Sequence, residues 1–154
     1  MRRRPVPRDD RLVDRAMLGR ISLMATTAVL ATFGCFAWGL GQGKALELVR
    51  TETFTVLAMC QWFNVLNCQS ATRSALRLGL LKNHWLLGGL ALSVLLHALV
   101  LYATPMNALF HTVPLPLSSL LPLVALASAV LWAEELRKLL ARRAGAHARL
   151  LSIA

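Results

Sequence analysis

In FTVLAMCQWFNVLNCQSATRSAL, residues 54–76, no acidic or basic side chain occurs before Arg73. With Thr53 included, the uncharged run extends to Thr72, long enough at the helical rise of about 1.5 Å per residue to cross about 30 Å of hydrocarbon. Its middle is nevertheless polar. Gln61, Asn64 and Asn67 recur every third residue, so on a helix they wind along one drifting stripe. Amides are costly in hydrocarbon unless partnered, so the stripe is expected to face other protein or a water-filled ion path. Asn67 lies nearest the cytoplasmic end beside Ser70, where both are expected to be structural polar groups that tie off the helix.

The pattern of uncharged runs repeats on either side. Ile21–Gly43 contains no charge, which predicts a span over about Met17–Leu40, ending on the breaker Gly39-Leu40-Gly41-Gln42-Gly43. Ala31, Gly34 and Ala37 suggest a face for close helix packing. Lys44–Glu52 reads as a connector with balanced charge. Asn83–Ala133 lacks Asp, Glu, Lys and Arg altogether and is punctuated by Pro105, Pro114 and Pro116. It reads as two spans, 84–102 and 115–136, joined by an external loop containing His111. Pro122 is expected to kink the last span, and Trp85, Tyr102 and Trp132 fall at span ends, where interfacial aromatics belong.

Charge asymmetry orients the spans. The loop after the second one carries Arg73, Arg77 and Lys82 with no acid, and both ends of the chain are rich in Arg; the excess of basic residues in cytoplasmic loops then puts both termini in the cytoplasm. The expected fold is all-α and integral to a membrane: four antiparallel transmembrane helices over residues 16–143, a basic cytoplasmic arm over 1–15 and a cytoplasmic tail over 144–154. The start MRRRPVPRDDR lacks a signal-peptide cleavage pattern and is expected to be retained. The expected location is the plasma (inner) membrane.

Composition excludes other classes. The sequence has 56% hydrophobic residues and a mean hydropathy of +0.57, which leaves no room for a large soluble domain. Its net charge of +10 comes from 17 basic against 7 acidic residues, but these flank apolar spans, so they read as topology signals touching anionic headgroups, with no nucleic-acid partner. Cys35, Cys60 and Cys68 have no zinc-site spacing, and no catalytic residue or metal site is evident. No internal repeat is evident, which argues against a transporter built from duplicated halves. His97 reads as a packed, hydrogen-bonded neutral side chain. Glu134 and Glu135 read as a solvated, salt-bridged helix end, with Glu134 placed to support the helix through Lys138.

Three stretches taken together carry a resemblance: RTETFTVLAMCQWFNVLNCQSATRSALRLGLLKNHWLL at 50–87, LVLYATPMNALFHTVPLP at 99–116 and LWAEELRKLLARR at 131–143. In order, they resemble the last four membrane helices of P-type cation-transporting ATPases of the calcium and sodium/potassium pump group. The matching positions are Arg50-Thr51, Asn64 to Ser70, Asn83 to Leu87, Tyr102 to Pro105, and Glu134-Glu135 with Lys138 and Arg142. The resemblance implies that Gln61 and Asn64 stand where related pumps place ion-binding carboxylates, making these two residues the candidate cation contacts. An amide oxygen coordinates a hard cation but adds no charge. The simpler alternative is that the stripe serves as hydrogen-bonding glue between helices.

The Asp-Lys-Thr-Gly-Thr phosphorylation motif and a nucleotide-binding domain do not occur in these 154 residues. The chain therefore has no catalytic capacity or cofactor of its own, and Mg-ATP would bind domains on another portion of the pump. The function implied is that of a C-terminal membrane domain, a fragment or split subunit supporting ATP-driven cation transport. Its partners would be the lipid bilayer and the catalytic portion. The alternatives are a free-standing four-helix transporter or channel, which would need a homo-oligomer, or an inactive remnant.

Overall fold

The computed structural model describes residues 15–67 and 84–151, with side chains described over 17–67, 84–141 and at Arg143. The expectations for Ser70, Cys68 and the basic loop with Arg73, Arg77 and Lys82 fall outside the described residues, as do the arm before Arg15 and the last three residues. The described backbone is helical: α1 Arg15–Gly41, α2 Leu46–Asn67, α3 His84–Tyr102, α4 Thr104–Phe110, α5 Leu117–Ala127 and α6 Ala129–Leu151.

α1 contains no proline, and two of its hydroxyl groups are absorbed locally: Thr27 Oγ1 donates to the Leu23 carbonyl at 2.8 Å and Thr32 Oγ1 to that of Ala28 at 2.7 Å. That leaves no polar side-chain atom of either residue needing water. The helix stops where the glycines predict. Gly43 takes φ 69°, its N–H bonds the Leu40 carbonyl at 2.9 Å, and the Lys44 N–H reaches back to Gly39 O at 3.3 Å. This paired closure needs a left-handed residue, which glycine supplies at no steric cost.

α2 begins sooner than expected. The supposed connector 44–52 is helical from Leu46, and Glu47 sits in the first turn, where a carboxylate complements the helix dipole. Val49, Thr55, Val56, Met59 and Cys60 are buried on one face, while Glu47, Arg50, Phe54, Leu57 and Gln61 are exposed on the other. α1 meets the buried face through Ala31, Cys35 and Gly39. Close approach is required at Gly39, where a Cβ would fall 3.0 and 3.1 Å from the Val49 methyl carbons. Gly34 and Ala37 are exposed. Of the three small residues expected to pack, only Ala31 does, because the helical period carries the other two off the buried line.

Val56, Met59 and Cys60 share one core with Leu101, Leu115, Leu123, Ala127 and Val130. α3 joins through α2: Trp62 Nε1 donates to Ser93 Oγ at 2.9 Å, and His97 Nε2 lies 3.3 Å from Thr55 Oγ1. The Trp62 ring meets His97 edge-on at 5.6 Å. The connection after α3 is structured. It contains α4, closes on His111 in the left-handed region, and is tied by Asn107 Nδ2 to the Val100 and Leu101 carbonyls at 3.1 and 2.9 Å and to Thr112 Oγ1 at 3.0 Å. Tyr102 also donates to the Leu115 carbonyl at 2.8 Å.

The helix runs through Pro122, and its interruption comes later, at Ser128. Ser128 Oγ donates to the Ala125 carbonyl at 2.7 Å and its N–H to Val124 O at 2.9 Å, so a serine that back-bonds to the preceding turn marks the break. Three helical stretches among the described residues are long and apolar enough to cross a membrane: Met17–Gly41, His84–Tyr102 and Leu117–Ala141. The protein is therefore all-helical with at least these candidate spans. α2 is long enough, at about 33 Å for its 22 residues, but Glu47, Arg50 and Glu52 make its first turns polar.

Candidate functional site

The amide stripe divides once α2 is packed. Gln61 is exposed, Asn64 half-buried and Asn67 fully buried. Gln61 and Asn64 line a cavity of about 360 Å³ whose other walls include Arg20 and Met24 of α1, Cys60 of α2 and Val130 of α6. Asn67 points into the bundle instead: its Nδ2 donates to the Val130 carbonyl at 3.1 Å, tying the end of α2 to α6. Ser70, the fourth candidate, lies outside the described residues.

Arg20 is the residue that sequence reasoning passed over. One of its terminal nitrogens donates to the Asn67 backbone carbonyl at 2.8 Å, and its Nε lies 2.9 Å from Glu134 Oε1. Glu134, with no exposed surface, also accepts from Arg137 Nε and NH2, both at 2.8 Å. Lys138, 2% exposed, lies 3.2 Å from Glu135. Glu134 is thus not the solvated residue expected, and Lys138 pairs with Glu135 while Arg137 takes Glu134. A buried carboxylate is sustained only with paired, hydrogen-bonded cations, and two guanidiniums provide them. The signal was present in the sequence: Arg20 is the one basic residue inside 17–40, and a charge within a span calls for a counter-charge on another helix.

The cluster limits what the cavity can do. Gln61 and Asn64 offer neutral oxygens, but the charge beside them is the Arg20 guanidinium, and Glu134 is committed to two cations. No group of three or more His, Cys, Asp or Glu that could hold a metal occurs among the described residues. A hard cation favours several oxygens with carboxylate charge. The described residues thus bring two neutral amides and one guanidinium to this cavity. Cys35 and Cys60 are buried and unpaired, in keeping with small core residues.

The fold and cluster define a helical membrane domain whose charged groups tie helices together. Residues 1–140 match the family described as cation transporting ATPase, C-terminus, and the chain belongs to that family. It is 34% identical over 94% of its length to calcium-transporting ATPase 1 of Schizosaccharomyces pombe. It is 30% identical over 84% of its length to a probable cation-transporting ATPase F of Mycobacterium bovis. With the human calcium-transporting ATPase type 2C member 2 it shares 32% identity over 84% of its length. The chain spans only 16%, 14% and 14% of these three relatives. It is the C-terminal membrane domain of a P-type ATPase by this relationship, and an integral membrane protein.

Proposed function

We propose that this domain serves ATP-driven cation transport by packing against the ion-carrying helices of a P-type pump, with Gln61 and Asn64 reaching the edge of the cation path and Asn67 acting only as a structural tie. The observation that carries this reading is the exposure of Gln61. An amide in the middle of a membrane helix, facing outward beside a cavity, needs a polar protein neighbour. In this reading that neighbour lies in the portion of the pump outside this chain.

In the full arrangement α1, α2, α3 and the α5–α6 pair are four antiparallel spans of the plasma (inner) membrane; α2 is the fourth, with Glu52 neutralised by Lys44 and Glu47 and Arg50 left exposed at its outer end. Both termini are then cytoplasmic, and the Asn107 turn faces outward. Mg-ATP binds the catalytic portion, not this chain.

The test uses the chain joined to, or co-expressed with, the catalytic portion of a related pump. Gln61→Ala is expected to weaken cation-dependent phosphorylation, Gln61→Glu to tighten divalent-cation binding, and Asn67→Ala to lower folded yield without changing ion affinity. Unchanged ion affinity in both Gln61 variants would remove the proposed contact and leave the stripe as interhelical glue. Labelling of a cysteine placed at Asn107 from the cytoplasmic side alone would overturn the four-span topology.

A further inference from the structure

At the end of the bundle away from Glu134, Arg50, Thr51 and Phe54 of α2 face Phe110, His111 and Thr112 across a pocket of about 340 Å³. Both walls are pinned. Thr51 Oγ1 donates to the Glu47 carbonyl at 2.8 Å and accepts from the Val113 N–H at 3.1 Å, which joins the two sides. On the far side Asn107 holds Thr112, and His111 keeps a left-handed backbone, φ 52°, with its N–H on Asn107 O. That conformation is uncommon outside glycine, and here it closes the turn that carries His111 to the pocket.

The pocket is cationic at its rim. Arg50 is exposed and forms no hydrogen bond or ion pair among the described residues; the nearby acids do not neutralise it. Glu52 is occupied by Lys44, both carboxylate oxygens lying 2.8 Å from Nζ, and Glu47, one turn before Arg50, is not among the ion pairs of the described residues. One turn after Arg50 on the same exposed face comes Phe54, 39% exposed, then Leu57 at 43%, while Phe110 across the pocket is 51% exposed. A positive group at the helix start followed by apolar side chains about 6 Å deeper matches the order of an anionic head above an acyl chain.

We propose that this pocket binds an anionic phospholipid, with its phosphate between Arg50 and His111 and an acyl chain along Phe54, Leu57 and Phe110. The guanidinium presents forked donors suited to phosphate oxygens, and the imidazole adds a further donor from the opposite wall. The inference needs the chain to lie in a membrane but does not rest on its partnership with a catalytic portion.

The experiment is native mass spectrometry of the full chain in detergent, titrated with phosphatidylglycerol, phosphatidylcholine or inorganic phosphate. A phosphatidylglycerol carrying a photoreactive acyl chain locates the site. The wild type is expected to retain one phosphatidylglycerol about fivefold more tightly than phosphatidylcholine, the scale of one basic side chain at an anionic surface, and to crosslink within the Arg50–Leu57 or Phe110 segments. Arg50→Gln should lose that preference and Phe110→Ala the crosslink, whereas Arg143→Gln, an exposed arginine on α6, should change neither. Thermal unfolding of each variant confirms that it is folded. Equal retention by Arg50→Gln, no preference over phosphatidylcholine, displacement of the lipid by equimolar inorganic phosphate, or crosslinking to a second copy of the chain would each overturn the proposal.

Discussion

The two polar ends of the bundle are closed by different chemistry. At one, Glu134 of α6 holds Arg20 of α1 and Arg137 of its own helix, and Arg20 in turn caps the last carbonyl of α2 at Asn67. At the other, closure is largely neutral: Asn107, Thr112, Thr51 and Tyr102 bond backbone groups, and one ion pair, Lys44 with Glu52, is stacked over Trp38 at 4.8 Å. The difference teaches which end depends on distant sequence. Most neutral bonds join neighbours along the chain, so that turn is organised locally. The charged cluster gathers three helices around one buried carboxylate, and removing Glu134 takes away the counter-charge that Arg20 and Arg137 share.

The largest expected effect follows from that asymmetry. Glu134→Ala removes the buried counter-charge of Arg20 and should destabilise the domain by about 3–5 kcal/mol, read as a shift in denaturant unfolding followed in detergent. Adding Arg20→Met should restore part of the loss. A Glu134→Ala cost no greater than that of any neutral bond would break the contrast between the ends.

Asn107→Ala probes the other end. It removes the amide donor to the Val100 and Leu101 carbonyls and to Thr112 Oγ1, which keeps its own bond to Val100 O, for an expected cost of about 1–3 kcal/mol. Hydrogen exchange should quicken around His111 while the α6 cluster stays protected. Exchange spreading equally to both ends would mean that they unfold as one unit.

Between the ends, Ser93→Ala removes the acceptor of the Trp62 indole N–H. Amide and hydroxyl bonds between membrane helices average about 0.6 kcal/mol, so a small stability loss with a change in Trp62 emission is expected. The smallest effect belongs to Gln61→Ala, within about 0.5 kcal/mol for a side chain exposed in this domain. A larger loss in the isolated chain would show that Gln61 already has a structural partner here and would weaken its assignment to the cation path.

By itself the sequence determined the membrane class and the family, because long uncharged runs, glycine stops and spaced motifs are local signals readable without contacts. It also marked the end of α1 within the Gly39–Gly43 breaker and the packed role of His97. It misjudged 44–52, where charge suggested a loop although Lys44 neutralises Glu52 and the remaining polar residues can face outward from a helix. It did not show the break at Ser128, since a proline's lost donor is obvious in sequence while the Ser128 back-bond is not. Only the tertiary structure decided that Glu134 is buried, that its partners are Arg20 and Arg137 rather than Lys138, and that the amide stripe splits into an outward Gln61 and an inward Asn67. Those outcomes depend on which faces meet after packing, and spacing along one helix does not contain the rotation of that helix against its neighbours.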